Sequence, residues 1–512
     1  MTPSRILPAL VLLACLPLHA ADQPQWGAAW GRNMVSKEKN LPAEFSVSNR
    51  MNIRWSARLG TESYSTPVVA GGKVFIGTNN GEPRDPKHQG DRGVFMCFEE
   101  ATGSLLWQLV VPKREEDPYL DWPKSGMSSP ATVEGNRVYM VSNRGEVMCL
   151  DANGLRDGND GPYQDEALHM TELGVQPLKL GELDADIIWM LNLTEAAGIW
   201  SHDGAHSSIL IDGDFLYLNS GTGVDNTHKK IRTPDAPGLV VVDKKTGRLL
   251  ARDREKTAPE TFHCTWSSPS LGVIDRRKTI FFAAGNGMLY GFEPLTKKLT
   301  AGEVATLKKV WQFDFDPSAP KQEVHRFNSN KREGPSNFYG MPVFEKGRIF
   351  LAGGGDIFWG KNEAWLKCIE PSLKQGGGGE IQTNVVWSYP LEKHVLSTPA
   401  ILNDLIFITD AGRKVHCLEI KTGKPFWVHE TDGEFWGSPM VADGKLFVGT
   451  RRGDFWIFEA EKEKKVLCRT QLGSPVSATP MAANNTLYLS TMRDLYAVGF
   501  PRNPDRSRTN HR

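Results

Sequence analysis

Net charge, long apolar runs and paired cysteines are all scarce in this chain of 512 residues. Lys plus Arg and Asp plus Glu both total 60, so no global field recruits nucleic acid or an anionic membrane. The one extended apolar stretch, residues 6–18, is too short to span a bilayer and follows Arg5 at the N-terminus. Of the seven cysteines no two are adjacent, and none stands in a Cys-x-x-Cys-His arrangement, which excludes covalent haem attachment. No Ser-His-Asp triad at a nucleophile elbow is visible, and no pair of carboxylates stands out.

What the chain does have is a repeat. Ser or Thr followed by Pro opens an apolar run, a second apolar run follows, and an acidic-x-x-Thr-Gly turn often leads to Trp. Clear copies begin at Thr66-Pro67, Ser129-Pro130, Ser268-Pro269, Thr398-Pro399, Ser438-Pro439 and Thr479-Pro480. Degenerate copies at Ser208-Ile209 and Met341-Pro342 bring the count to eight. A unit this small cannot bury both faces of its own sheet, so repetition predicts stacking into a ring or solenoid. The runs are short, rich in Val, Ile, Phe and Tyr, and punctuated by Gly, Asn or Asp turns, which predicts four strands per unit and hence a propeller blade.

The last copy runs out after its third strand, residues 495–500, while residues 53–57 before the first copy supply a spare one. Trp55 then takes the fourth-strand position held elsewhere by Trp107, Trp189, Trp311, Trp387 and Trp427. This predicts a ring sealed by an N-terminal strand that completes blade eight and hides a free sheet edge. Ala251 and Cys468 replace the tryptophan in blades three and seven, where weaker docking is expected. Cys97, Cys149, Cys368 and Cys417 occupy one equivalent third-strand position, held in other copies by Val241, Gly291, Ile457 or Ala497. That position selects a small apolar group, so free buried thiols are expected rather than disulfides.

On these residues the repeats resemble those of the quinoprotein-like, or PQQ-like, eight-bladed β-propeller superfamily and its docking pattern acidic-x-x-Thr-Gly-x-x-x-Trp. Glu99 to Trp107 and Glu419 to Trp427 fit it best. The resemblance covers roughly residues 51 to 500 and implies an all-β fold of four-stranded antiparallel blades. In type it lies close to the outer-membrane-assembly lipoprotein propellers. It implies less about chemistry, because the superfamily mixes dehydrogenases with scaffolding proteins. A quinone dehydrogenase of this kind is expected to carry adjacent cysteines over the cofactor, a carboxylate base and a calcium or lanthanide site. The cysteine pair is missing here, which argues against enzymatic PQQ chemistry.

Long insertions fall mainly between second and third strands (79–92, 221–237, 353–363) or after fourth strands (112–126, 314–338), both on one face of a ring. The second residue before each of the signature pairs is expected at the channel mouth on that face, where the innermost strand begins. Around the ring these are Tyr64, Met127, His206, Trp266, Tyr339, Leu396, Trp436 and Ser477. Tyr64, His206, Trp266, Tyr339 and Trp436 are the candidate ligand-binding residues, with His202, Asp203 and His263 at the edge. Bulky side chains that plug the channel are the structural alternative. His202, Asp203, His206 and His263 also have the ligand types for zinc or copper, against an alternative of ordinary backbone hydrogen bonding. The Asp-, Asn- and Gly-rich residues 151–161, on the opposite side, read as a calcium loop or as Asx turns without metal. Gly376 to Gly379 reads as a hairpin tip rather than a phosphate cradle, since it opens no helix.

Leu18-His19-Ala20 offers a small-residue cleavage site, so residues 1–20 are expected to be a signal peptide, with a lipid anchor at Cys15 as the alternative. Residues 21–50 are expected to be an N-terminal extension, 51–500 one propeller domain and 501–512 a basic tail. The composite expectation is an exported, monomeric protein of a bacterial periplasm or cell envelope. It binds a protein partner or small ligand through its looped face, without nucleic acid, transmembrane span or catalytic residues. No cofactor is assigned. The alternative is a PQQ- or metal-dependent periplasmic oxidoreductase with the channel mouth as its active site.

Overall fold

Each apolar run pairs with the next as an antiparallel strand, and the set of four twists into a blade. Blade seven is a bare example: Met440–Ala442, Lys445–Gly449, Asp454–Glu459 and Val466–Gln471, in that order across the sheet. The computed structural model describes residues 21–114, 122–203, 206–297, 299–373 and 381–501. The expected signal peptide with Cys15, the tail from residue 502 and the Gly376 to Gly379 run lie outside the described residues. Eight sheets are present, and eight clusters of buried apolar side chains lie between successive blades. The seam is closed as expected. Ile53–Arg58 pairs antiparallel with Asp494–Val498, with Trp55 opposite Ala497 and Arg58 opposite Asp494.

The repeated residues now have physical reasons. The signature hydroxyls stitch the innermost strands together: the Thr479 amide donates to Thr66 Oγ1 (3.3 Å), Ser438 to Thr479 Oγ1 (3.1 Å), Thr398 to Ser438 Oγ (2.9 Å) and Met341 to Thr398 Oγ1 (2.9 Å). Proline follows because the start of an inner strand has no ladder hydrogen bond to donate. Five of the six docking tryptophans, Trp311 being the exception, reach the neighbouring blade and donate from Nε1 to a carbonyl just past its third strand. Trp55 meets Glu100 O at 2.9 Å, Trp107 meets Ala152 O at 2.9 Å and Trp387 meets Ile420 O at 3.0 Å. The Gly of the Thr-Gly turn lies flat on that indole. Gly103 has φ +74° and a Cβ there would fall 2.5 Å from Trp55 Cε3, so only glycine meets both demands. The recurring cysteines sit directly across the ladder from these tryptophans, as in Cys97 opposite Trp107 and Cys417 opposite Trp427, and the cysteines of the described residues are all free thiols.

Two departures from the repeat are repaired by other segments. Blade three, expected to have four strands, gains a fifth: Ala305–Thr306 adds in parallel beside Leu249–Arg252, opposite Ala251. Leu307 and Ala251 then share the cluster between blades three and four. At blade seven, Phe45 is buried against Phe455 (ring centroids 5.5 Å) in the same cluster as Cys468. Foreign side chains therefore fill both places where the docking indole is missing.

Residues 21–50 are more than an extension. They form a strap that meets the blades in order beneath their innermost strands. Val69 N donates to Gln23 O, Val133 N to Pro24 O, Leu271 N to Trp30 O, Phe344 N to Gly31 O and Val441 N to Met34 O. Blade three contributes Ser208 O, blade six Ile401 through Asn33, and blade eight Ala482 O, which accepts from Ser36 Oγ. At the centre Arg32 is fully buried, donating to Ser208 O (2.9 Å), Ser208 Oγ (3.0 Å), Pro269 O (3.0 Å) and Trp26 O (3.2 Å). Burial pulls its pKa down to about 9, which leaves it charged at neutral pH within a cage of carbonyls.

Candidate functional site

A cavity of about 480 Å³ opens at the channel mouth on the looped face. Tyr64, His206, Trp266, Tyr339, Leu396, Trp436 and Ser477 all line it, so the structure brings seven of the eight ring positions together. Met127 is buried away from it. Trp26 of the strap lines it as well, its Nε1 donating to Thr479 Oγ1 at 3.1 Å, so the mouth is backed by the N-terminal segment. The loops at 112–126, 221–237 and 353–363 supply Trp122, His228, Phe358 and Trp359.

The aromatic walls are ordered by contacts among themselves. Trp266 and Tyr339 stack with centroids 4.6 Å apart and planes 12° apart, a packing that leaves no room for a ligand between them. Tyr64 and Trp436 face each other at 6.3 Å, and Phe358 meets Trp436 edge-on at 6.1 Å. Polar groups fix the rims: Tyr64 donates to Glu62 Oε2 (3.0 Å), Trp436 Nε1 to Glu434 Oε1 (3.0 Å), and the Arg451 guanidinium lies 4.3 Å over the Trp436 ring.

One wall of the cavity is ionisable. Two short backbone bridges, Ser201 with Thr222 and Gly223 with Cys264, pull the segments around residues 202, 223 and 263 side by side. A Cβ on Gly223 would stand 2.5 Å from His202 Cβ, so glycine permits this approach. The result is a cluster of His202, His228 and His263 with one ligand-type nitrogen from each within 4.8 Å of the others. His202 Nε2 lies 3.2 Å from His228 Nε2 and 3.2 Å from Asp203 Oδ1, and His263 Nε2 lies 3.8 Å from Asp203 Oδ2. His263 Nδ1 is 2.9 Å from Asp356 Oδ2; a carboxylate only accepts, so Nδ1 donates in this bond and Nε2 is the nitrogen turned to the cluster.

Asp356 is itself fully held. It accepts from Tyr339 Oη (2.6 Å) and from the Phe358 and Trp359 amides (3.0 and 2.8 Å). Burial pushes its carboxyl up, but His263 and these hydrogen bonds outweigh it and keep the group below the usual carboxylate range. Burial, with the neighbouring His263 and His228, pushes His202 down to about 3, and burial lowers His228 as well. Both are neutral imidazoles at pH 7. Burial raises Asp203 to about 6.

Of the residues expected around a metal, His202, Asp203 and His263 do converge. His206 stands apart, its Nε2 donating to the Asp203 carbonyl at 3.2 Å, and burial lowers it to about 4. Sequence reasoning missed His228, Asp356, Phe358 and Trp359, although all four lie in insertions it marked as long. On the opposite side, Asp151 accepts from Asn136 Nδ2 (2.7 Å) and Arg137 (2.5 Å), and Asn153 donates to Asp157 (2.7 Å), the self-contained bonding of Asx turns.

Comparison with known proteins gives a consistent fold and little chemistry. The profile of the family described as outer membrane protein assembly factor BamB matches residues 91–155 and 379–491. A curated relative, 1-butanol dehydrogenase (cytochrome c) of Thauera butanivorans, is 27% identical over 104 residues, 18% of this chain; the match spans only 15% of that enzyme's length. Among solved structures, BamB from Moraxella catarrhalis superposes with a TM-score of 0.50 at 12% identity, covering 88% of this chain and 98% of that one. A europium-containing methanol dehydrogenase gives 0.45 at 11% identity, over 94% and 99%. Among the described residues no helix is long and apolar enough to cross a membrane. Eight blades and indole docking give the chain the PQQ-like β-propeller fold, and over residues 91–155 and 379–491 its sequence matches the profile of that family.

Proposed function

We propose that this protein is an exported binding module whose looped face takes a small, flat, largely apolar ligand into the vestibule at the channel mouth. The observation that carries this reading is the cavity itself: about 480 Å³, walled by aromatic side chains and backed by the strap. Such a concave, mostly apolar pocket with a few placed polar groups is the usual form of a small-molecule site. Residues 5–20 support export to a bacterial periplasm or envelope. The assembly-factor profile supports a protein partner for the surrounding loops. The test is to purify the protein from its native envelope, denature it and identify released small molecules by mass spectrometry. A stoichiometric aromatic compound that disappears in Trp436→Ala supports the reading. An empty wild-type pocket that also gives no thermal shift with a panel of aromatic acids overturns it.

A second reading, a PQQ- or metal-dependent oxidoreductase, is favoured by one feature, the imidazole cluster open to the same cavity. Incubation with PQQ and calcium followed by gel filtration tests its quinone form. Loss of the quinone absorbance on the column eliminates that form.

A further inference from the structure

The geometry points to a site for a single divalent transition-metal ion, of the zinc or copper class, held by His202, His228, His263 and Asp203. This goes beyond the apolar-ligand reading and does not depend on it. Tetrahedral zinc with bonds of about 2.0–2.1 Å separates its ligand atoms by roughly 3.3 Å. The separations of 3.2 Å (His202 to His228), 3.2 Å (His202 to Asp203) and 3.8 Å (His263 to Asp203) already approach that figure. All the histidine ligand atoms lie within 4.8 Å of one another, so closing on one ion needs only a small inward movement of the side chains.

Two further observations point to a missing ligand. His263 Nε2 and Asp203 Oδ1 are buried with no hydrogen-bond partner among the described residues, and both face the centre of the cluster. A buried lone pair without a partner is costly unless something else satisfies it. Each imidazole is also anchored from behind, as ligating histidines are: His263 by Asp356, His202 by the Val224 backbone and His228 by the Asn226 backbone. Three imidazoles and one carboxylate suit zinc(II) or copper(II), and poorly suit calcium or magnesium, which prefer all-oxygen shells. Asp203, His228 and His263 line the cavity, so the ion is reached from the vestibule and can accept a further donor atom from that side.

The test uses the full mature chain, dialysed against a chelator and titrated separately with ZnCl₂, CuCl₂ and CoCl₂. The expected result is about one equivalent of metal per chain with micromolar or tighter affinity, and intense visible bands of four-coordinate cobalt. The relative affinities for zinc and copper then decide between the two. His228→Ala, a loop change that leaves the blades intact, should weaken binding by about 100-fold or more, whereas the remote control His429→Gln should not. Asp356→Asn, whose one contact with the proposed ligands is His263, should weaken it by roughly 10- to 100-fold without changing the stoichiometry. Wild-type protein that takes up no metal, cobalt with the pale spectrum of a six-coordinate ion, or His228→Ala binding as well as wild type each overturns the assignment. None of these outcomes bears on whether an aromatic compound occupies the vestibule.

Discussion

Replacing Arg32 by Met tests whether the strap holds the ring together. Arg32 is fully buried and donates to three backbone carbonyls and one hydroxyl, drawn from the strap itself and from blades three and four. Hydrogen bonds to a charged group contribute about 1.5–3 kcal/mol each, and carbonyls left unpaired cost about 1–3 kcal/mol each. Against this, the variant no longer buries a charge, and methionine refills part of the volume. The balance seen when buried charge networks lose one member is about 3–5 kcal/mol. With an unfolding entropy of roughly 2.1 cal/mol/K per residue over about 480 folded residues, about 1 kcal/mol corresponds to one degree. Arg32→Met should therefore lower Tm by roughly 3–5 °C in a calorimetric scan, and Arg32→Lys, which keeps charge but loses the fork of donors, by less. A melting temperature within about 1 °C of wild type would falsify the strap as a structural element.

Trp55→Ala at the seam removes a buried indole and its bond to Glu100 O, for an expected loss of about 3–5 kcal/mol, and Gly103→Ala attacks the same contact from the other side. If both variants melt like wild type, the seam does not depend on indole docking. Asp186 is buried, and burial followed by the charges of Glu166, Asp151 and Asp160 raises its pKa to about 7. Since the folded state holds this proton more tightly than the unfolded chain, stability falls as pH rises from about 4 to 7 and stays lower above that. Asp186→Asn should accordingly be more stable than wild type at pH 8 and level with it near pH 4; an equal difference at both pH values rejects the assignment. Processing after Ala20 would place a free α-ammonium at Ala21, whose nitrogen lies 2.6 Å from the buried Glu38 carboxylate. Mass spectrometry of the envelope protein should find Ala21 as its first residue, and Glu38→Gln should lower Tm; a different N-terminus removes the ion pair.

The blades were readable because their determinants recur. A Ser/Thr-Pro pair, an indole and a Thr-Gly turn each answer a local need, whether a cross-blade hydroxyl, a spacer or a flat surface, and each need arises at every blade. The strap has no period. Arg32 and Asn33 act through carbonyls and amides of residues far along the chain, such as Pro269 and Ile401, and nothing in their local sequence marks that role. The same distinction separates His202 and His263, which stand next to readable inner strands, from His228, which lies in an insertion whose backbone path no pattern predicts. The fifth strand of blade three went unseen because residues 305–306 are too short to register as a strand by alternation.

Vectorial synthesis gives the strap a temporal meaning. The axle beneath the ring and the strand that completes blade eight are made before any blade, yet their partners at Val441, Ala482 and Asp494–Val498 belong to blades seven and eight. A nascent polypeptide can assemble individual blades, but it cannot lock the ring before blades seven and eight have been made. Chains cut short before blade eight are left with an unpaired leading strand, a free edge open to pairing with other chains.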